Sequence, residues 1–322
     1  MPLGSNHITG RLQGVDGTAA VFTPEEWEDD VIAAYKSNLV AANHVTKMPH
    51  RGRKGDTIHI PKPTRGAASV KATNTQVTVI ADSNTDLPIH IDQHWEYSRV
   101  IEDVADMLAL NSMRRFYTDD GGYALGRQVD YHLLSLLSGS QGGTKDTTPG
   151  TPAAQTITWG TNVVIGGDGT TGYTGTNESA LSDLGIRTMI QTLDDVDVPQ
   201  MDRYMIVPPV ERKNLMGIPR FTEQAFTGEV GGGNTIRNGL IGDVYGIPVF
   251  VSSNCPNGTG GAANDRIGGL FHKSATVLVE QMGIRAQTQY KQEYLSDLLT
   301  FDTLYGYEIL RDDAMVAFAV PA

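Results

Sequence analysis

One cysteine, Cys255, in 322 residues excludes a disulfide inside the chain and fits a reducing compartment. No apolar run approaches the roughly 18 residues of a membrane span, so no membrane partner is expected. The opening residues, MPLGSNHITGRLQG, have neither the basic start nor the apolar centre of a secretion signal, which points to synthesis in the cytosol. Hydrophobic residues are 39% of the chain and aromatic ones 7%, enough for a folded protein but lean for its core. Net positive charge is also missing. With 25 Lys and Arg against 37 Asp and Glu the formal charge is −12, which excludes nonspecific phosphate binding by the whole surface.

Patterns that carry chemistry are equally scarce. The eight histidines are spread along the chain and suggest no metal site. Asp194, Asp195 and Asp197 lack calcium-loop spacing and read as the solvated end of a helix. Cys255 precedes Pro256 in a turn with no histidine partner in view, and Ser252-Ser253 lacks a Gly-x-Ser-x-Gly frame. The glycine- and threonine-rich stretch 139–177 contains no Gly-Lys-Ser/Thr, so it reads as a surface excursion and not a phosphate loop. Neither catalysis nor a cofactor is expected.

What is present begins with a rod. Residues 111–138, NSMRRFYTDDGGYALGRQVDYHLLSLLS, contain no proline and lie between a candidate N-cap, Asn111, and Gly139. Leu125, Val129, Leu133 and Leu136 recur at helical spacing, so the second half should bury one stripe over a helix about 40 Å long. Gly121 and Gly122, each costing about 1 kcal/mol relative to Ala in mid-helix, mark a close approach by another backbone or a bend.

Residues 1–22 read as an arm with little to bury. A helix then starts at Thr23, with Pro24 at its first position, Glu26 completing a capping box, and Glu25, Glu28, Asp29 and Asp30 beside it at the helix end that favours anions. Next comes a basic stretch. Lys47, Arg51, Arg53, Lys54, Lys62, Arg65 and Lys71 face one acid, Asp56. Within it, residues 57–60 alternate as a strand, residues 76–80 alternate again, and residues 88–92 follow. The result is a long hairpin too poor in large apolar residues for a core of its own, so it should lie on something else. A basic ribbon on an acidic chain fits a second copy of the same chain. Nucleic acid is the weaker reading, because residues 47–71 offer no aromatic rings for stacking.

Residues 98–110 read as a short helix feeding the rod, and residues 178–195 as a further helix. Residues 204–207 form a buried-type strand, residues 210–216 a short helix and residues 217–243 a glycine-rich excursion. Residues 245–254, YGIPVFVSSN, make a turn into an apolar strand, and residues 284–322 are mainly strand.

This order of segments resembles the major capsid proteins of tailed bacteriophages. The hairpin GDTIHIPKP…TQVTVIADSNTDLPIHID resembles that family's extended loop. YALGRQVDYHLLSLL resembles the end of its spine helix, VYGIPVFVSSNCP its axial-domain turn, and YLSDLLTFDTLYGYEILRDDAMVAFAV its closing strands. The resemblance implies an α+β fold with an N-terminal arm and first helix (1–48), an extended β-hairpin loop (49–92) and a peripheral domain with spine helix and antiparallel sheet (93–199). An axial domain (200–285) and closing peripheral strands (286–322) complete it.

The implied function is that of a structural, non-enzymatic subunit forming hexamers and pentamers of an icosahedral virion shell. That shell would enclose double-stranded DNA without sequence-specific contact and would be assembled in the host cytoplasm with a portal protein. About 22 residues before the first helix leave no room for a fused scaffolding domain, so a separate scaffolding protein is expected. Some relatives cross-link a loop lysine to a neighbour's asparagine. Lys62 and Lys71 lie in the right segment, but no matching Asn and Glu stand in recognisable context, and a non-covalent shell is expected. The basic residues are expected to dock on a neighbour's acids, either at Glu25–Asp30 or in the closing segment, where Glu293, Asp297, Asp302, Glu308, Asp312 and Asp313 face only Lys291 and Arg311. Two alternatives stand beside this: an encapsulin-like compartment shell, and an unrelated soluble enzyme or binding protein.

Overall fold

The computed structural model describes residues 39–50, 55–62, 66–77, 79, 85–104, 113–137, 164–169, 179–218, 242–256 and 265–321. The rod is there as α1, Met113–Leu136, about 36 Å long at the helical rise. Its second half is buried all round and not along one stripe: residues 130–137 are buried without interruption. The reason is its position between two sheets. Leu133, Leu134, Leu136 and Leu137 share one core with Leu278, Tyr305 and Tyr307 on one side and Ile206 and Phe271 on the other.

The first sheet has the order β1-β10-β11-β4, made from β1 (Thr46–Pro49), β4 (Gln93–Glu102), β10 (Thr276–Lys291) and β11 (Ser296–Ile309). β1 runs parallel to β10, and the other pairs are antiparallel. The second sheet has the order β5-β12-β9-β6-β8-β7. Its members are β5 (Val164–Gly166), β6 (Arg203–Val207), β7 (Asp243–Val244), β8 (Ile247–Val251), β9 (Asp265–His272) and β12 (Met315–Pro321). Two further helices are α2, Asp183–Asp195, and α3, Pro209–Gly217. α2 is capped by the Ser182 hydroxyl, which accepts from the Gly185 N–H, and it buries Ile186, Met189 and Leu193 against this sheet. β12, which closes the chain, thus lies in the second sheet beside β9, while β10 and β11 form the body of the first.

Three expectations change. Residues 98–102 are strand and not helix: Ser98 pairs with Thr300 and Glu102 with Ser296. Residues 103–104 are helical as expected, but over 93–102 Trp95, Tyr97 and Ile101 turn inward while Glu96, Ser98 and Val100 are exposed, which is the period of two expected of a half-buried strand. Residues 105–110 lie outside the described set. The hairpin ladder joins β2 (Thr57–Lys62) to β3 (Thr85–His90), so the strand pairing with β2 is 85–90 and not 76–80. Finally, the 139–177 excursion contributes a strand, because β5 pairs with residues 317–319 of β12.

Gly121 marks a close approach, though by rings and not by backbone. A Cβ there would stand 2.8 Å from Phe301 Cδ2 and 2.9 Å from Tyr97 Cδ1. Gly122 faces open space. The rod seats on the first sheet through that notch.

Candidate inter-subunit surfaces

The ribbon is anchored at its base and free at its tip. Ile89 and Ile91, with Ile58 and Ile60, pack on Val277, Val279 and Leu304 of the first sheet, and Ile89 is fully buried. Gly306 on β11 makes this possible, since a Cβ there would collide with the His90 carbonyl oxygen. Two buried isoleucines, Ile89 and Ile91, and two half-buried ones, Ile58 and Ile60, hold the base on its own subunit, each fully buried one contributing roughly 1.5–3 kcal/mol. Beyond it the picture reverses. All residues 66–77 are exposed, with Val70 at 100% and Val79 at 87%. A turn at residues 72–75, with Thr75 donating to the Ala72 carbonyl and Asn74 at φ 63, forms the tip.

Of the candidate basic residues, Lys47 is exposed on β1, Lys62 is exposed at the end of β2, and Lys71 is exposed beside the tip turn. Arg51, Arg53, Lys54 and Arg65 lie outside the described residues, as do Glu25, Glu26, Glu28, Asp29 and Asp30 of the expected acidic helix.

The acid count of the closing segment needs revision. Asp302 is buried between Arg285, whose Nε and Nη2 donate at 3.0 and 2.6 Å, and His94 at 3.5 Å. The Arg285 guanidinium holds the Asp302 carboxyl below the usual carboxylate range. Asp297 pairs with Arg114 from α1. Both cations lie outside the closing segment, Arg114 183 residues from Asp297 and Arg285 17 from Asp302, so counting charge along the segment overstated it. Glu293, Asp312 and Asp313 are exposed.

Sequence reasoning missed a buried polar joint on the spine. Asp130 is fully buried. Its Oδ1 accepts from the Val40 and Ala41 N–H groups at 2.9 and 2.7 Å, and its Oδ2 accepts from Asn254 Nδ2 at 3.0 Å. Burial pushes its pKa up, against the pull of those donors. One carboxylate thus ties the entry of the chain, the rod and the turn after β8 together. Two residues on, the His132 Nδ1 lies 2.8 Å from the Tyr305 hydroxyl, its Nε2 lies 2.8 Å from Gln128 Nε2, and the ring stacks on Tyr307. Glu211 plays a similar part for α2, accepting from the Leu181 N–H at 2.8 Å. The only signal in the sequence was an acid and a histidine set inside the apolar run 129–137.

His90 and His94 stand four apart, a ligand-like spacing on a helix, yet here they fall on β3 and β4. His90 faces Thr57 and His94 faces Asp302. Among the described residues no group of three or more His, Cys, Asp or Glu could hold a metal, and no helix is long and apolar enough to cross a membrane.

A family model described as Phage capsid protein matches residues 96–316, from β4 to the start of β12. Solved structures share the fold across nearly the whole chain. A Mycobacterium phage Che8 structure is 22% identical with a TM-score of 0.70, covering 92% of this chain and 97% of its own. The capsid structure of cyanophage P-SCSP1u is 19% identical with a TM-score of 0.71, covering 94% of each chain. The mature capsid of bacteriophage PhiM1 is 15% identical with a TM-score of 0.66, covering 92% of each. No curated protein matches.

Proposed function

This chain belongs to the phage capsid protein family and is a structural subunit of a capsid; from that premise we propose that its copies form hexamers and pentamers of a closed icosahedral shell around packaged double-stranded DNA. The observation that supports this most is the ribbon. Its base is anchored on its own sheet, but residues 66–77 extend into solvent with Val70 wholly exposed. A monomer gains nothing from ordering such a segment, because each fixed residue costs about 1–2 kcal/mol of backbone entropy. A lattice of copies supplies the missing partner surface. Lys47, Lys62 and Lys71, with Arg51, Arg53, Lys54 and Arg65, give the ribbon side a charge opposite to that of a chain of −12, so neighbouring copies attract there. The same negative balance lets DNA fill the interior without adhering to the wall. The role is structural and not catalytic. The shell assembles in the host cytoplasm with a scaffolding protein and is completed by a portal protein.

Sedimentation of the purified chain followed by electron microscopy tests this. The expected result is material of pentamer or hexamer size and above, with rings or curved sheets of rings in the images. A chain that stays monomeric at tens of micromolar, with its scaffolding protein present as well as without it, contradicts it. Particles whose contents are protein cargo instead of DNA would favour a compartment shell.

A further inference from the structure

The first described residues run along the rod, and the direction they set continues past its glycines. The Ala41 N–H is held by Asp130. Leu39 lies one turn earlier against Gly126, where a Cβ would stand 3.0 Å from Leu39 Cδ1. The next residue on that helical face, four before Gly126, is Gly122. A Cβ there would meet nothing within 4 Å among the described residues. The chain thus reaches Asp130 travelling parallel to α1, and the residues ahead of Leu39 come from the side of Gly122.

A cavity of about 430 Å³ opens beside that path. It lies between Gly126 and Val129 of α1 and Leu278, Glu280, Ile284 and Tyr305 of the first sheet, with Leu39 on its wall. The β10–β11 ladder shifts register twice between Glu280 and Arg285, and such bulging breaks the even surface on which the rod would otherwise lie. Ile284 is left 51% exposed. The chain ahead of Leu39 carries the complement. Trp27, Val31, Ala34 and Tyr35 are spaced i, i+4, i+7 and i+8, one apolar stripe on the helix expected from Thr23. Tyr35 stands four residues before Leu39 and so lies within roughly 14 Å of it. Lys36, beside Tyr35, is opposite in charge to Glu280 on the wall.

We infer that this cavity receives Val31 and Tyr35 of the same copy, with the helix of residues 24–38 lying along α1 across Gly122 and Gly126. The missing side chains at both glycines let the two backbones approach closely. Burial of the stripe supplies the stabilisation. Tethering selects the occupant, because a segment joined directly to the wall is present at a far higher effective concentration than one from a second copy. Two helices held in step bring Glu28 level with Arg115, which is exposed on the same face seven residues before Gly122. The acids of 25–30 are then fixed beside the start of the rod, and the arm left for neighbours is residues 1–22. The inference concerns a single copy and stands apart from the shell reading.

Two experiments on the full chain, kept as dissociated subunits in dilute solution, test it. In the first, Ile284→Cys is combined in one chain with Val31→Cys or with Tyr35→Cys and oxidised. The native Cys255 is buried and does not compete. A link within one chain is expected from at least one pair, seen as a monomer band that runs faster before reduction than after. A link found only between chains gives the cavity to a second copy's helix and overturns the inference, as does no link from either pair. In the second, Val31→Asp sets a charge where an apolar side chain should be buried. The thermal midpoint should fall by roughly 3–12 °C, with circular dichroism showing a folded chain below the transition. The same change at Val70, which is 100% exposed, should leave the midpoint in place. An unmoved midpoint for Val31→Asp overturns the inference. Neither readout depends on assembly, so its failure leaves the shell reading standing.

Discussion

Replacing Asp130 by Ala removes the acceptor at the joint between the chain's entry, the rod and the turn after β8. Three donors lose their partner: the Val40 and Ala41 N–H groups and Asn254 Nδ2. Val40, Ala41 and Asn254 are at most 5% exposed, so water does not readily replace the carboxylate. Each stranded donor costs about 1–3 kcal/mol, and because the three share one acceptor their losses do not add fully. A total of about 3–5 kcal/mol follows, a large share of the roughly 5–15 kcal/mol that holds a domain folded. At about 2–4 °C per kcal/mol for a chain of this size, the thermal midpoint of the dissociated subunit should drop by roughly 6–20 °C. Hydrogen exchange should locate the damage, with the Val40 and Ala41 amides losing protection first.

The pH dependence has a definite sign. Burial raises the folded pKa of Asp130 above its ordinary value of 3.8, so the folded chain holds that proton to higher pH than the unfolded one. Compared with Asp130→Asn, which does not titrate, the unaltered chain is favoured most below pH 3.8 and loses that advantage as pH rises through the raised folded value. A midpoint for Asp130→Ala within about 2 °C of the unaltered chain would refute the assignment of this joint.

Further outcomes follow from other residues. Gly306→Ala drives a methyl group into the His90 carbonyl and should unseat the ribbon base at a cost of about 1–3 kcal/mol, visible as proteolytic cutting within residues 57–90 of a subunit that is otherwise folded. Leu295, 63% exposed at φ 44, holds a backbone shape that favours glycine. Leu295→Gly should therefore stabilise the isolated subunit by about 1 kcal/mol, and a destabilisation in thermal unfolding would contradict that. Reversing Arg51, Arg53 and Lys54 to Glu should suppress assembly without moving the thermal midpoint, and normal particles from that variant would remove charge from the account of docking.

How much of this could be read in the sequence varied with the range of the interactions involved. The rod was legible because Leu125, Val129, Leu133 and Leu136 repeat at helical spacing and no proline interrupts them. Its burial on all sides was not, since that depends on a second sheet packing across it. The ribbon was legible as a basic hairpin. Its true partner strand was not, because residues 76–80 alternate as well as 85–90 do, and the choice is made by Val277, Val279 and Leu304 some 200 residues away. Residues 98–102 misled for a local reason: apolar residues at 100, 101 and 104 satisfy a helical template, and only pairing with β11 selects the strand. The acidic reading of the closing segment overcounted Asp297 and Asp302, whose partners lie outside it, with Arg114 183 residues from Asp297. Asp130 and His132 carried almost no signal, because a buried polar residue is recognised by its hydrogen-bonding partners, and except for Gln128 these lie 89 to 173 residues away.

The central claim is that the protein completes itself against sister copies through a ribbon whose outer half has no place on its own body. Cryo-electron microscopy of the assembled particle tests it most directly. The account predicts that Val70 and Val77, exposed in the subunit, are buried against a neighbouring subunit. Ribbons folded back onto their own subunits would contradict it.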